Sequence, residues 1–246
     1  MRKVSKRRAA AAGNWKLIPE DQHKAICQQR RDREKAQRIQ SIIEAAKKVF
    51  TAKGYLKATM DDIALAAEVT KPTIYLYFKA KDDLFFTLMM PLIDDVREQL
   101  QIVEKSLQTG EINDGASLIR SVFGAFYHGY EHLPETFRII QLFQQQGLMS
   151  ELRPEVRAAL NDKGRANFVL SRQILTKGME LGLIKEVNVY EMADVIWGLL
   201  VGVIQLEDAK HSDRKNKSLT ENTLRLAEGL IADAMTIKNE GKKKCK

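Results

Sequence analysis

The chain has 246 residues, of which 44% are hydrophobic, and a formal net charge of +8. This length suits one small and one larger domain, and the hydrophobic fraction is typical of globular proteins. The longest uninterrupted apolar run, residues 195–204, is too short to cross a bilayer, and no secretory signal follows the basic amino terminus. We therefore expect a cytoplasmic protein without membrane contact.

The positive charge is concentrated at the two ends of the chain. Residues 1–36 carry 11 Lys or Arg against 4 acidic residues, and residues 241–246 carry four Lys. Such ends look like arms that neutralise DNA phosphates, and a solubilising disordered tail is the alternative. Cys27 and Cys245 lie in these ends without metal-ligand spacing, so neither indicates a disulfide-stabilised core.

Apolar residues recur at helical spacing and proline is scarce, so the sequence predicts an all-α fold. The first helix is expected from about residue 34 to residue 53, with Gly54 as its stop. A short helix starts at Thr59, and another covers residues 71–78 after Thr70, with Pro72 in its first turn. Further helices are expected near 82–108, 116–132, 135–148, 154–182, 189–209 and 220–238.

The two short helices and the turn between them match a helix-turn-helix unit, which must pack on the first helix to bury its apolar face. Ile74 and Phe78 are spaced to point back toward that helix. The alternative is an ordinary helical hairpin in which the Tyr-x-Tyr-Phe sequence of residues 75–78 is simply core.

The segment TMDDIALAAEVTKPTIYLYF, residues 59–78, continues as KAKDDLF. It resembles the DNA-binding segment of the TetR/AcrR family of transcriptional regulators. The matching positions are Ile63, Ala64, Thr70, Lys71, Thr73, Ile74, Tyr75, Tyr77, Phe78, Lys81 and Leu84. One departure is Glu68, at a turn position that is usually Gly in the family; a left-handed backbone there would be strained by about 1 kcal/mol.

The resemblance implies a three-helix DNA-binding domain followed by a larger helical domain for ligand binding and dimerisation. The expected division is a basic arm (1–36), the helix-turn-helix domain (37–84), the larger domain (85–240) and a basic tail (241–246). The implied function is a repressor, released from an inverted-repeat operator by a small apolar or aromatic effector. Activation instead of repression is the alternative.

A helix in the major groove contacts bases with its first side chains and phosphates with flanking ones. The expected base and backbone contacts are Thr70, Lys71, Pro72 and Thr73. The expected phosphate contacts are Thr59, Tyr75, Tyr77 and Lys81.

The last two helices carry apolar stripes that indicate a symmetric four-helix dimer interface. Such a dimer sets two recognition helices about 34 Å apart, one duplex turn. Core packing within one subunit is the alternative. The predicted interface residues are Trp197, Leu200, Ile204, Leu224, Ala227 and Ile231.

Aromatic residues in the larger domain are candidates for effector contact, although a stripe at this spacing also suits a plain core. The candidates are Phe123, Phe126, Tyr127, Tyr130, Phe143 and Phe168. His128 and His132 share one helical face, but no third ligand is evident in the sequence, so no metal site or cofactor is predicted.

Two other classes of protein fit the sequence less well. An enzyme is disfavoured because the sequence has no phosphate-binding glycine motif, no His-Glu-x-x-His and no nucleophile elbow. An architectural nucleic-acid protein would rely on the basic arm alone and bind every duplex without a preferred site.

Overall fold

The computed structural model describes residues 20–210 and 217–237. These residues form α-helices, one short 3-10 helix at Leu148–Glu151 and no strand, so the all-α prediction is confirmed. The helices are α1 (Glu20–Lys57), α2 (Met60–Ala66), α3 (Lys71–Tyr77), α4 (Lys81–Gln108), α5 (Gly115–His132), α6 (Pro134–Gln145), α7 (Pro154–Glu180), α8 (Val189–Lys210) and α9 (Lys217–Met235).

The first helix is longer than its apolar pattern predicts. It begins at Glu20 instead of near residue 34, and Gly54 lies inside it as a non-helical kink with φ 72° and ψ 164°. Its early turns bury almost nothing and are supported by pairs four residues apart, such as Arg30 with Glu34 at 2.7 Å. The expected flexible arm is therefore helical from residue 20. Residues 1–19 and the predicted tail at 241–246 lie outside the described residues.

One hydrophobic core joins the first three helices to the start of α4. Ile42 of α1, Ile63 of α2 and Ile74 of α3 are fully buried in it. The same core continues through α6 and the start of α7, where Phe143 and Leu160 are buried. The helix-turn-helix unit is therefore packed directly against parts of the larger domain.

A second core fills the larger domain. It consists of the later part of α4 together with α5, α7, α8 and α9. Helix α4 contributes Leu84 and Phe85 to the first core and Leu100 and Val103 to the second, so both cores share it, as they also share α6 and α7. A movement of α4 would therefore change the packing of both cores.

Helix α8 is unusually apolar on its solvent side. Among the described residues it is the one helix whose length and composition would suit a membrane span, and 22% of its most apolar window is buried. A helix in a protein core, or one that packs against a partner, can have the same length and apolar composition.

Candidate DNA interface and sensing domain

Helix α2 begins with a reciprocal capping arrangement. The Thr59 hydroxyl accepts a 3.1 Å hydrogen bond from the Asp62 amide, and the Asp62 carboxylate accepts a 3.1 Å bond from the Thr59 amide. Lys53 of α1 binds the same carboxylate at 2.7 Å. The bonds from Lys53 and then Thr59 lower the pKa of Asp62. This capping box fixes the start of α2 against α1.

The turn between α2 and α3 passes through Glu68 in a left-handed conformation, with φ 54°. It is the one residue other than glycine with a positive φ among those described. The Val69 amide then donates to the Ala64 carbonyl at 3.0 Å, which closes the end of α2. The turn therefore adopts the backbone for which glycine is better suited.

Helix α3 has one buried and one exposed face. Thr70 caps it by accepting from the Thr73 amide at 3.4 Å, and the two hydroxyls are 2.8 Å apart. Ile74 and Phe78 are buried against the first core, as predicted. Lys71 and Tyr75 lie on the solvent side. The helix thus presents a polar face that no other described part of the chain covers.

The predicted DNA-contact residues differ in accessibility. Thr73 and Tyr77 are partly buried. The Lys71 ammonium forms a 2.9 Å ion pair with Asp61 of α2, and its hydrogen bond to that carboxylate raises the pKa of Lys71. The exposed residues of the set are Thr59, Thr70, Lys71, Pro72 and Tyr75.

Lys81, predicted as a phosphate contact, has a side chain that is hydrogen-bonded within the subunit. The ammonium donates to the Tyr55 carbonyl at 2.8 Å and lies 4.3 Å from the centre of the Tyr55 ring. Burial lowers the pKa of Lys81. Lys81 therefore links the end of α1 to the start of α4, and its ammonium points toward Tyr55 and not toward solvent.

The basic start of α1 lies beside α3. A surface cleft runs between them, lined on one side by Leu76 and Tyr77 of α3. Leu76 is 82% exposed, which the sequence analysis did not anticipate. The residues that line the cleft from α1 are Arg31, Glu34, Lys35 and Arg38.

A polar network joins the DNA-binding unit to the larger domain. The Asp82 carboxylate at the start of α4 accepts a 2.6 Å bond from the Tyr55 hydroxyl and a 2.8 Å bond from the Arg153 amide. The Arg153 guanidinium also pairs with Asp83. Burial, then the bond with Asp82, raise the pKa of Tyr55. Sequence reasoning missed this network because its members are up to 98 positions apart.

The aromatic residues of the larger domain divide between the two cores. Trp197 of α8 lies at the centre of one group, with its ring 5.5 Å from Phe126 and 6.0 Å from Phe168. Phe137 and Tyr130 extend this group. The other effector candidates in this core are Phe123, which is buried, and Tyr127, which is partly buried and whose pKa burial raises to about 12.

Phe143, also predicted as an effector contact, does not belong to that group. Its ring lies 4.3 Å from Phe85 and 5.0 Å from Tyr55, in the core beneath the DNA-binding helices. The reason is that α6 spans both cores and turns Phe143 toward α1 and α4. Phe143 is thus a packing residue at the junction of the domains.

The residues predicted as dimer contacts lie in the interior of their own subunit. Leu200, Ile204 and Leu224 are no more than 3% exposed, because the predicted stripes face the core of their own subunit. Ala227 and Ile231 are likewise buried, and Trp197 packs in the aromatic group. The exposed apolar side chains lie on the other faces of α8 and α9, namely Val195, Leu199, Leu206, Leu226 and Leu230.

A short capped helix that rests on two others, exposes a polar face and lies beside a basic helix defines a helix-turn-helix DNA-binding protein. Comparisons with known proteins agree with this class. The family model of bacterial regulatory proteins, tetR family, matches residues 42–88. The chain therefore carries the DNA-binding unit of that family.

Relatives extend the similarity beyond the DNA-binding unit. The chain is 30% identical to the fatty acid metabolism regulator protein of Bacillus subtilis over 154 residues, which is 63% of this chain and 74% of the relative. It is 31% identical to the HTH-type transcriptional activator FasR of Mycolicibacterium smegmatis over 99 residues, which is 40% of this chain and 43% of FasR.

A solved structure of similar fold is the fatty acid degradation regulator FadR of Bacillus halodurans. Its TM-score is 0.58 at 22% identity, and the match covers 78% of this chain and 95% of FadR. The chain belongs to the TetR family and is a DNA-binding transcriptional regulator. Its relatives are regulators and not enzymes, as the sequence analysis expects.

Proposed function

We propose that this regulator is a repressor that binds an inverted-repeat operator as a homodimer and leaves it when a small apolar effector fills the larger domain. The observation that carries the proposal is the solvent-facing side of α3, which includes Lys71, Pro72 and Tyr75. A protein that acts on chromosomal DNA in a bacterium works in the cytoplasm.

In this proposal α3 lies in the major groove. Thr70, Lys71, Pro72 and Thr73 are at its amino-terminal end, where side chains reach base edges. Tyr75 lies further along the exposed face, at a position suited to the phosphate backbone. Thr59 and Tyr77 complete the phosphate contacts; Lys81 is left out because its ammonium is bound to α1.

The basic start of α1 would extend this interface. Arg31, Lys35 and Arg38 line the cleft next to α3, on the side of α1 that faces the recognition helix. Each of these cations would displace condensed counterions from a nearby duplex. The helix from residue 20 would therefore add affinity that depends on salt but not on sequence.

The exposed apolar face of α8 and α9 is the proposed contact with a second copy. Val195, Leu199 and Leu206 follow one another at helical spacing on α8, and Gly202 between them is also exposed. Leu226 and Leu230 form the matching stripe on α9 and are each 64% exposed. Pairing of these helices with their symmetry mates would remove the stripes from water.

The effector is proposed to be a fatty acid or its thioester. The aromatic group around Trp197 offers an apolar environment for an acyl chain. Asn167 precedes Phe168 in α7; its buried side-chain oxygen has no hydrogen-bond partner among the described residues and would serve as a polar contact. The names of the Bacillus subtilis and Bacillus halodurans proteins support this class of effector.

Helix α4 would carry the signal, because it lines the core of the larger domain and also holds the DNA-binding unit. Dimers with different spacings of the two recognition helices would be in equilibrium. An effector that binds more tightly to the dimer with one spacing shifts the population toward that dimer. Activation is the second candidate, since the relative FasR is named an activator.

The test is an electrophoretic shift assay on the DNA that flanks the protein's own gene. We expect Tyr75→Ala and Lys71→Ala each to weaken retention by about tenfold, the effect of losing roughly 1–3 kcal/mol of contact. Lys177→Ala, on the surface of α7, is the matched control and should bind like the wild type. Unchanged retention by both α3 variants would remove the proposed interface.

The effector is tested in a Trp15→Phe background, in which Trp197 is the remaining tryptophan. We expect palmitoyl-CoA to change the Trp197 emission and to reduce DNA retention, and Phe126→Ala to weaken both effects. Tighter retention with the same ligand would favour activation. No change in emission with palmitoyl-CoA or palmitate would contradict a fatty acyl effector.

A further inference from the structure

Three side chains with metal-binding atoms converge where α4 and α5 pack together. Nδ1 of His128 lies 2.8 Å from Oδ2 of Asp95 and 3.0 Å from Nδ1 of His132. The three residues each offer one ligand atom, and these atoms lie within 4.8 Å of one another. The histidine pair is visible in the sequence, but the third group comes from α4 and is 33 positions away.

Hydrogen bonding alone does not account well for this arrangement. A ring nitrogen of a neutral histidine carries either one hydrogen or one lone pair. If Nδ1 of His128 carries the hydrogen, that single hydrogen is shared between Asp95 and His132. If Nδ1 of His128 carries the lone pair, it has no hydrogen to donate to the Asp95 carboxylate that it faces. A cation at the centre would accept a lone pair from all three atoms at once.

The distances suit a first-row transition metal. Ligand atoms about 2.0–2.1 Å from a tetrahedral zinc ion are roughly 3.3 Å apart along each edge. The two short distances at His128, 2.8 and 3.0 Å, are within about half an ångström of that value, so small side-chain rotations would complete the geometry. Two histidines four residues apart on one helix face are also the spacing that holds zinc in helical metal motifs.

The backbone holds the ligands on two helices in close contact. Gly129, next to His128, is buried against α4, where a Cβ atom would come within 2.9 Å of the Leu92 and Val96 side chains. Asp95 lies between these two residues in the sequence of α4. Glycine at this position therefore lets α5 approach α4 closely enough for His128 to reach Asp95.

The site is reachable from solvent. The side chains of His128 and Asp95 are 28% and 22% exposed, and His132 is exposed. We propose that Asp95, His128 and His132 form a binding site for a divalent transition metal of the zinc class, with water as the remaining ligand. Two imidazoles and one carboxylate suit Zn²⁺, Co²⁺ or Ni²⁺ better than Mg²⁺ or Ca²⁺. A bound ion links α4 to α5, whichever effector the larger domain takes.

The test uses the full-length protein stripped with EDTA and titrated with ZnCl₂ in a calorimeter, with Co²⁺ absorption as a second readout. The wild type takes up one ion at this site and shows the visible bands of tetrahedral Co²⁺. His132→Ala and Asp95→Asn each weaken binding by about tenfold or more. Because His132 is exposed, its replacement leaves the fold intact, which circular dichroism checks.

His23→Ala is the matched control, since His23 lies on α1 and pairs there with Cys27. It retains the Co²⁺ bands and the Zn²⁺ affinity of the wild type. Absence of zinc uptake by the wild type overturns the proposal. Wild-type affinity in both His132→Ala and Asp95→Asn overturns it as well.

Discussion

The hydroxyl of Tyr55, near the end of α1, donates a 2.6 Å hydrogen bond to the carboxylate of Asp82, at the start of α4. The second oxygen of that carboxylate accepts from the Arg153 amide, immediately before α7. One carboxylate thus ties together the DNA-binding unit, the connecting helix and the larger domain. The Tyr55 ring also packs in the core against Phe85 and Phe143.

Replacement of Tyr55 by Phe keeps the ring and removes the donor. We expect the free energy of unfolding to fall by about 1–3 kcal/mol, because the Asp82 carboxylate loses a partner in a buried position. Urea denaturation followed by circular dichroism measures the loss. Tyr190→Phe, which removes an exposed hydroxyl, is the control with an expected change near zero. Equal effects of the two substitutions would contradict the assigned role.

The same carboxylate predicts a dependence of stability on pH. Burial by itself raises the pKa of Asp82, but the hydrogen bonds from Tyr55 and Arg153 outweigh it and lower the pKa overall. The folded-state pKa is then below that of the unfolded chain, so the stabilisation is complete above about pH 4 and is lost as the pH falls further. The gap in unfolding free energy between wild type and Asp82→Asn should therefore narrow as the pH falls below about pH 4. A difference in unfolding free energy that stays constant with pH would show that the fold does not favour the ionised form of Asp82.

Glu68 occupies a left-handed backbone position that glycine adopts without strain. We expect Glu68→Gly to raise the free energy of unfolding by about 1 kcal/mol. Glu68→Ala removes the same charge but keeps the strain, so it separates the two effects and should give little gain. The two variants are compared by urea denaturation. A gain of the same size from alanine would mean that the charge, and not the backbone, is responsible.

The basic start of α1 predicts a change in the salt dependence of DNA binding. A triple variant with alanine at Arg31, Lys35 and Arg38 should lower affinity for all duplexes and reduce the slope of log K against log salt by about 0.9 for each lost phosphate contact. Fluorescence anisotropy at several salt concentrations measures the slope. The control removes cations from the larger domain, at Lys163, Arg165 and Lys177. An identical slope in both variants would place α1 away from the duplex.

The exposed face of α8 and α9 predicts the oligomeric state. Leu199→Glu together with Leu230→Glu places charges on both stripes and should convert a dimer into a monomer, since a buried unpaired charge is costly. Analytical ultracentrifugation reports the mass. Leu142→Glu, at an exposed leucine of α6, is the control and should leave the dimer intact. A wild-type monomer at micromolar concentration would contradict the proposed interface.

Local signals in the sequence predicted the DNA-binding unit well. The caps at Thr59 and Thr70 and the glycine-like turn at Glu68 depend on neighbouring residues, so their structure is encoded within a few positions. The periodic burial of Ile74 and Phe78 is equally local. These local features determine which face of α3 is exposed and available for contact with DNA.

Features that depend on tertiary contacts could not be predicted in the same way. Helix α8 is apolar on most of its circumference, so periodicity does not show which stripe faces inward, and Leu200 and Ile204, predicted as dimer contacts, are buried in their own subunit. The ammonium of Lys81 and the ring of Phe143 are positioned by partners far away in the sequence. The first turns of α1, before about residue 34, have no apolar stripe, so the sequence shows only their charge.

The central claim is that two copies of α3 read one duplex. Its most direct measurement is selection of bound DNA from a random pool by the purified protein, followed by footprinting of the selected sites. The account predicts an inverted repeat whose half-sites are centred about one helical turn, or roughly 34 Å, apart. Bound sequences with no shared motif, or a single half-site protected by one subunit, would contradict it.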